Sequence, residues 1–366
     1  MKNIGIVSYN INCNFTNYGS ALQSWALSTS IARLGKRPVL IDYCPDVLLE
    51  ANPLNPFKKM WDLDEESRWL CELSLPAIRV NYQKFDDFYT RHFNRTARKY
   101  TSSTFHCVAQ DEALDGFVCG SDTIFCIDEF HGFEEAYYAN YPIMRQRAVA
   151  YAASFGDAHF DEGTYPILNQ RLQNFKAIGL REHAFINYVK GQVQVPILRT
   201  IDPTLLLTAE DYETLATPRM VEKAYLLLYS RRHNPEMFAY AEALASAQGL
   251  KIVDISLRAD KAPYHLMAYD AGVEEFLSLV KHATCVVTNS FHGLIFAAQY
   301  SRPVTVFSRE QANSKIDEVL ALFRGADVPN TPIRGLEAND YPALHARLQR
   351  AREESLAFLK MELELL

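Results

Sequence analysis

Short, almost wholly apolar runs alternate along most of the chain with longer segments whose apolar residues recur every three or four positions. The first kind reads as buried parallel strands and the second as the helices that connect them. In the first half a strand over Ile4–Tyr9 leads through the loop NINCNFTNYG into the helix SALQSWALSTSIARLG, which Gly35 closes ahead of the strand RPVLIDY. That is one βαβ unit, because parallel neighbours need a crossover helix. Strands return at GFVCGS (116–121), RAVAYAASFG (147–156) and AIGLRE (177–182). Between about 45 and 109 the pattern turns irregular and aromatic, with amphipathic helical pieces such as NYQKFDDFYTRHF, and predicts an insertion that covers the cleft or a sheet edge.

A second series starts near Leu198: AYLLLYS (224–230), the helix MFAYAEALASAQGL, KIVDIS (251–256), the helix EEFLSLVKHA, TCVVTNS (284–290), a further helix, PVTVFS (303–308) and KIDEVLALFRG. Such strict alternation predicts a doubly wound α/β domain. The last stretch, YPALHARLQRAREESLAFLKMELELL (341–366), predicts a long helix packed back across the body; a membrane-surface helix would carry more Lys and Arg on its polar face. The expected division is therefore an N-terminal domain over 1–197, a C-terminal domain over 198–345 and a C-terminal helix over 346–366. A chain of 366 residues suits two domains better than one core.

Composition narrows the class without changing this picture. An apolar share of 48% with 22% charged residues describes a folded globular protein. A net charge of −7 speaks against a nucleic-acid partner, which needs a basic face, so any anion site must be local. Seven cysteines without a C-x-x-C predict free thiols in a reducing compartment and no metal site. MKNIGIVSYN reads as a strand rather than a signal peptide, and no run approaches the roughly 18 apolar residues of a membrane span. The expected location is the cytoplasm, with at most peripheral contact at the inner face of the cell membrane.

Ligands of open α/β sheets bind outside the carboxyl ends of the strands. That rule selects Asn17-Tyr18-Gly19, Gly120-Ser121-Asp122, Ser154, Arg181, Ser230-Arg231-Arg232-His233, Asn289-Ser290 with His292, and Ser308-Arg309. Arg302 falls at the entry to its strand, on the opposite edge, and reads as structural. The start of the helix after Ser290 offers free N–H groups to an anion. His292, in its first turn, is either a chemical group or a satisfied structural imidazole; the helix dipole disfavours its charged form, so a functional His292 needs a carboxylate or an anionic substrate beside it. Arg181 could grip a ligand or merely pair with Glu182, and Arg231-Arg232-His233 could hold a phosphate or carboxylate. Asp122 could be a base for a hydroxyl or a helix cap. No G-x-G-x-x-G is present, so neither nicotinamide nor flavin is supported and no cofactor is expected.

Taken together, NYGSALQSWAL (17–27), GSDTIFC (120–126), AVAYAASFG (148–156), GLREHAF (179–185), IDPTLLL (201–207), YLLLYS (225–230), VVTNSFHGLIFAAQYSRPV (286–304) and NSKIDEVLALF (313–323) resemble the polysaccharide pyruvyl transferase family, in its order and across nearly the whole chain. The resemblance implies a GT-B-like α/β fold, two Rossmann-like domains facing across a cleft, and transfer of a pyruvyl group from phosphoenolpyruvate to two hydroxyls of a sugar in a surface or capsular polysaccharide precursor. The product is a pyruvate ketal, with phosphate released. By position, the family's motif His is His292 and its motif Arg is Arg181.

The implied chemistry gives His292 the part of an acid for the methylene carbon and Asp122 that of a base. Arg181, Asn289, Ser290, Arg231, Arg309 and Lys315 are the implied phosphoenolpyruvate ligands. Asn17, Tyr18, Gly19, Gln23 and Ser121 are the implied ligands of a sugar acceptor, free or carried as a lipid-linked oligosaccharide. Thr123, Phe125 and Cys126 stand where the family more often has Gln, Trp and Asn, which leaves the acceptor sugar open. A GT-B glycosyltransferase using a nucleotide sugar would share the cleft, and a sugar- or phosphate-binding module would share the arginines.

Overall fold

The apolar runs form strands that are buried on both faces. The computed structural model describes residues 1–12, 16–54, 65–308, 313–325 and 333–366. In chain order the strands are β1 (Asn3–Val7), β2 (Arg37–Leu40), β3 (Tyr43–Cys44), β4 (Tyr100–Thr101), β5 (Gly116–Cys119), β6 (Ala148–Ala153), β7 (Ala177–Leu180), β8 (Ile197–Arg199), β9 (Tyr225–Tyr229), β10 (Lys251–Ile255), β11 (Leu266–Met267), β12 (Cys285–Thr288), β13 (Val304–Phe307) and β14 (Ile333–Leu336). One six-stranded sheet runs β2-β1-β5-β6-β7-β8 and is parallel throughout. The other runs β11-β10-β9-β12-β13-β14, parallel except for the antiparallel edge β13–β14.

Strand order reverses between β1 and β5 in the first sheet and between β9 and β12 in the second. A doubly wound sheet opens a crevice at such a reversal, outside the carboxyl ends of the strands. Asn17 follows β1, Asp122 follows β5 and His292 follows β12, so the crevices of both sheets are lined by residues the sequence singles out.

Side chains alternate across each strand and divide the core accordingly. Ile4, Ile6, Val118, Val149 and Tyr151 of the first sheet share one continuous cluster with Tyr225, Leu227, Tyr229 and Val253 of the second. Their neighbours Val7, Phe117, Cys119 and Ala150 face a separate core, as Leu226, Leu228 and Ile252 do in the second domain. The two Rossmann-like domains therefore face each other across a cleft and share apolar packing beneath it. Each fully buried Val, Leu, Ile or Phe among them contributes about 1.5–3 kcal/mol.

Two segments tie the domains together. The long helix Glu65–His92, within the region read as an insertion, reaches the second domain through Lys84–Glu275 (2.6 Å), Arg91–Glu274 (2.7 Å) and Arg258–Glu66 (2.8 Å). The C-terminal helix, Tyr341–Leu365, buries Leu344, Leu348, Phe358, Leu359 and Leu363 in the shared core. Its Ser355 Oγ accepts from the Ile201 amide at 3.2 Å.

RPVLIDY does not form one strand. The backbone N–H of Leu40 donates to Asn94 and that of Thr96 returns to Leu40, so the chain leaves the sheet and Tyr43–Cys44 pairs with Tyr100–Thr101 instead. The first sheet also takes in Leu198 and Arg199, and β14 is a short antiparallel strand that no apolar run announces.

Phe358 packs on Gly179 of β7, where an added Cβ would lie 3.1 Å from its ring. Phe358→Ala is expected to cost about 3–5 kcal/mol, read as a fall in urea midpoint at constant slope. Met361, 50% exposed on the same helix, should tolerate Ala within about 0.5 kcal/mol.

Candidate active site

The site is built where two helices, one from each domain, begin. Ser290 caps the helix Phe291–Gln299: its Oγ accepts from the Gly293 amide at 3.3 Å, while its own amide donates to Thr288 Oγ1 at 3.0 Å. His292 follows in the first turn and is 7% exposed. Asn17 caps the helix Tyr18–Arg33 through a bond from the Gly19 amide to its Oδ1 at 3.0 Å. The bare Cα of Gly19 lies against the His292 ring, so close that an added Cβ would fall 1.9 Å from Nδ1. Only glycine allows the two helix ends to meet around this imidazole.

The other side of the ring faces Asp202, whose Oδ2 lies 3.6 Å from His292 Nε2. Asp202 stands on the crossover between the sheets, with its side chain closed to solvent. Its Oδ1 accepts from the amide and hydroxyl of Thr204 at 3.0 and 2.7 Å, and its Oδ2 accepts from Arg181 Nη1 at 3.1 Å. Burial opposes the Asp202 charge, yet the charge on His292, then Arg181 and Thr204, hold the carboxyl well below the usual range.

Arg181, at the end of β7, is a buried hub. Besides Asp202 it meets Glu182 at 3.4 Å and Asp122 at 3.9 Å, and its guanidinium lies 5.0 Å over the Phe291 ring. Burial lowers its affinity for the proton, but Glu182, Asp202 and Asp122 outweigh burial and raise it above its ordinary value. A guanidinium among three carboxylates is better placed to position them than to grip a substrate anion.

Asp122 adopts φ 75°, a left-handed conformation that Asp tolerates better than most residues. Its carboxylate accepts from Ser20 Oγ at 2.9 Å and from the Thr123 amide at 3.0 Å. The turn before it passes so close to β6 that a Cβ at Gly120 would lie 2.0 Å from the Tyr151 carbonyl oxygen. Beyond Asp122, Thr123 Oγ1 donates to Glu129 at 2.8 Å. Glu129 is exposed as a residue, yet desolvation of its carboxyl by the surrounding protein, with the Asp122 charge adding and Lys315 opposing, pushes it up to about 7. Lys315 comes from the second domain and reaches Gly156 of the first, where an added Cβ would lie 3.4 Å from its Nζ.

The structure thus brings together His292, Arg181, Asp122, Gly19, Asn17 and Ser290. Three other residues singled out as acceptor ligands are sealed inside instead. Tyr18 donates to the Ala271 carbonyl at 2.7 Å and stacks on Phe276. Gln23 is fully buried, bonding to Ser8, Ser24 and the Ser121 amide, and Ser121 donates to the Ala152 carbonyl at 2.7 Å. Asn289 accepts from the Arg231 amide and donates to the Arg232 carbonyl, both at 2.8 Å, so it shapes the loop after β9. Arg309 lies outside the described residues. Asp202, Glu129 and Ser20 join the site without having been singled out. Asp202 follows a strand's carboxyl end, the one signal that could have found it, but Asp-Pro also reads as an ordinary turn.

Comparison with solved structures places the fold. Staphylococcus aureus MnaA, solved with UDP, matches over 100% of this chain and 98% of its own at 13% identity and a TM-score of 0.51. A putative UDP-N-acetylglucosamine 2-epimerase from Listeria monocytogenes matches over 99% and 91% at 12% identity and a TM-score of 0.50. The fold is accordingly GT-B-like: two Rossmann-like domains across a cleft with a C-terminal helix. No curated protein matches the chain in sequence. The family model described as polysaccharide pyruvyl transferase matches residues 17–311, most of the chain.

Asp202→Asn would leave Arg181 and His292 without their shared anion, and is expected to cost about 3–5 kcal/mol at neutral pH. A carboxyl held low in the fold stabilises it above its unfolded value, about 3.9, and that contribution fades as pH falls toward the folded value. Urea titrations should therefore show a gap between wild type and variant that is full at pH 5 and narrows below about pH 4. A gap independent of pH would place the effect elsewhere.

Proposed function

The chain belongs to the polysaccharide pyruvyl transferase family, and from that premise we propose that it moves the pyruvyl group of phosphoenolpyruvate onto two hydroxyls of one sugar in a surface or capsular polysaccharide precursor. The observation that supports this most is His292, buried at a helix start with a carboxylate beside Nε2. An acid so placed can protonate the methylene carbon of the enol ester, which makes the neighbouring carbon electrophilic. A sugar hydroxyl then attacks that carbon, the carbon–oxygen bond to phosphate breaks, and the second hydroxyl closes the ketal. Of the two hydroxyl protons, one replaces that given by His292 to the new methyl group and the other leaves with phosphate, so protons balance.

Asp122 is the proposed base, its carboxylate kept in place by Ser20 and Thr123. Asp202 and Arg181 are positioning residues: Asp202 supports a proton on His292, and Arg181 holds the carboxylates apart. Binding of the phosphate and carboxylate of the donor falls to Lys315, to Arg231 and Arg309, and to the N–H groups after Ser290. Asn17, at the edge of Gly19, is the proposed acceptor contact. The acceptor could be presented on a lipid at the inner face of the membrane, where the enzyme would meet it from the cytoplasm. Among the described residues no helix is long and apolar enough to cross a membrane.

Incubation with phosphoenolpyruvate and a panel of nitrophenyl glycosides should release phosphate and add the mass of a pyruvyl ketal to one of them. His292→Ala is expected to lower turnover by about 10²–10⁴-fold while donor affinity changes little. Lys315→Ala should weaken donor binding by about tenfold or more in calorimetry. Consumption of a nucleotide sugar, with no glycoside supporting phosphate release, would transfer the cleft to glycosyl transfer instead.

A further inference from the structure

A groove of about 420 Å³ opens on the edge of the second sheet opposite the cleft, where β13 begins. It lies between the end of the helix Phe291–Gln299, the short helix Ala209–Glu213 and the C-terminal helix, and its walls include Lys281, Tyr300, Arg302, Glu210, Glu213 and His345. Two residues of its wall carry a donor with no hydrogen-bond partner among the described residues: the hydroxyl of Tyr300, a residue only 7% exposed, and Arg302 Nε. A buried donor left unpaired is costly, so two beside one polar groove point to acceptor oxygens supplied from outside the chain.

The neighbouring charges describe the ligand. Arg352 is engaged, donating to the carbonyls of Leu205 and Leu207 and to Gln349. Lys281 pairs with Glu213 at 2.9 Å. Burial, then the charge of Arg352, lowers His345 from its ordinary value, with Glu210 opposing, so the field at this ring is partly that of a cation. Three cationic side chains against two carboxylates leave the groove with a small positive excess, and the exposed Glu210 offers an acceptor for hydroxyls. A fully anionic ligand would meet Glu210 and Glu213; a neutral sugar could accept from Tyr300 but would bring no charge to Arg302.

We propose that this groove is a second ligand site, distinct from the cleft, that takes a small phosphorylated sugar. Its phosphate accepts from Tyr300 and Arg302, and its hydroxyls donate to Glu210. The volume lies within the roughly 300–1,000 Å³ of small-molecule sites. The site also bears on the cleft. Gln299, in its wall, donates to the carbonyls of Thr204 and Leu207 at 2.9 Å, and Arg352 holds Leu205 and Leu207 from the other side. These carbonyls belong to the crossover segment that begins at Asp202.

Calorimetry on the full chain with glucose 6-phosphate, glucose and inorganic phosphate tests the site without recourse to the transferase reading. Glucose 6-phosphate should bind saturably, and both glucose and inorganic phosphate at least tenfold more weakly. Tyr300→Phe, which removes only the hydroxyl, and Arg302→Gln should each weaken binding about tenfold, whereas Lys315→Ala in the cleft should not. The bound dianion should also shift the His345 ring titration, followed by NMR, to higher pH. Absence of saturable binding would overturn the proposal, as would binding that Lys315→Ala abolishes and Tyr300→Phe and Arg302→Gln leave intact. Equal affinity for inorganic phosphate and glucose 6-phosphate would remove the sugar from it.

Discussion

Asp202 is a carboxylate with no exposure to solvent, and neutralising it fixes how the two domains meet. An unpaired carboxylate in a protein interior is too costly to persist, so a cation must come to it. Arg181 comes from the end of a strand in the first sheet, and the His292 ring, from a helix start in the second, lies against the same carboxylate. Because Asp202 itself sits on the chain's crossover, all three parts of the fold are drawn to one point. The rest follows from the closeness this demands, above all the bare backbone of Gly19 against the imidazole.

The same convergence divides the chemistry. The second domain supplies His292 and Lys315, and the first supplies Asp122 on a turn that only Gly120 lets pass. Arg181 reads from sequence as either a ligand grip or a partner of Glu182, and it is surrounded by Asp122, Glu182 and Asp202. Its place suits holding the proposed base, Asp122, and the proposed acid, His292, at opposite sides of one cleft. The C-terminal helix completes the arrangement from behind, because Arg352 and Ser355 hold the crossover on which Asp202 stands.

Much of this is legible in the amino-acid sequence. Apolar runs locate the strands on which the cleft is built, and the rule that ligands sit at carboxyl ends picks out Asn17, Asp122, Arg181 and His292. What escapes is decided by partners distant in the chain. Gln23 and Ser121 read as acceptor ligands until the Ser121 amide is seen to donate to Gln23, and its hydroxyl to Ala152, inside the core. The strand ends at Leu40, whose outer edge is claimed by Asn94 and Thr96, more than fifty residues on. Asp202 hides in an Asp-Pro step, whose local meaning is a turn and whose charge matters only once Arg181 and His292 close around it.

Protonation of the donor's methylene carbon by His292 is the step on which the functional reading rests, and isotope incorporation measures it directly. With phosphoenolpyruvate and an accepted glycoside in D₂O, NMR should find one deuterium in the methyl group of each ketal, one phosphate released per ketal, and both products formed about 10²–10⁴-fold more slowly by His292→Ala. Phosphate released without deuterium in the methyl group, or labelled ketal formed by His292→Ala at the wild-type rate, would contradict it.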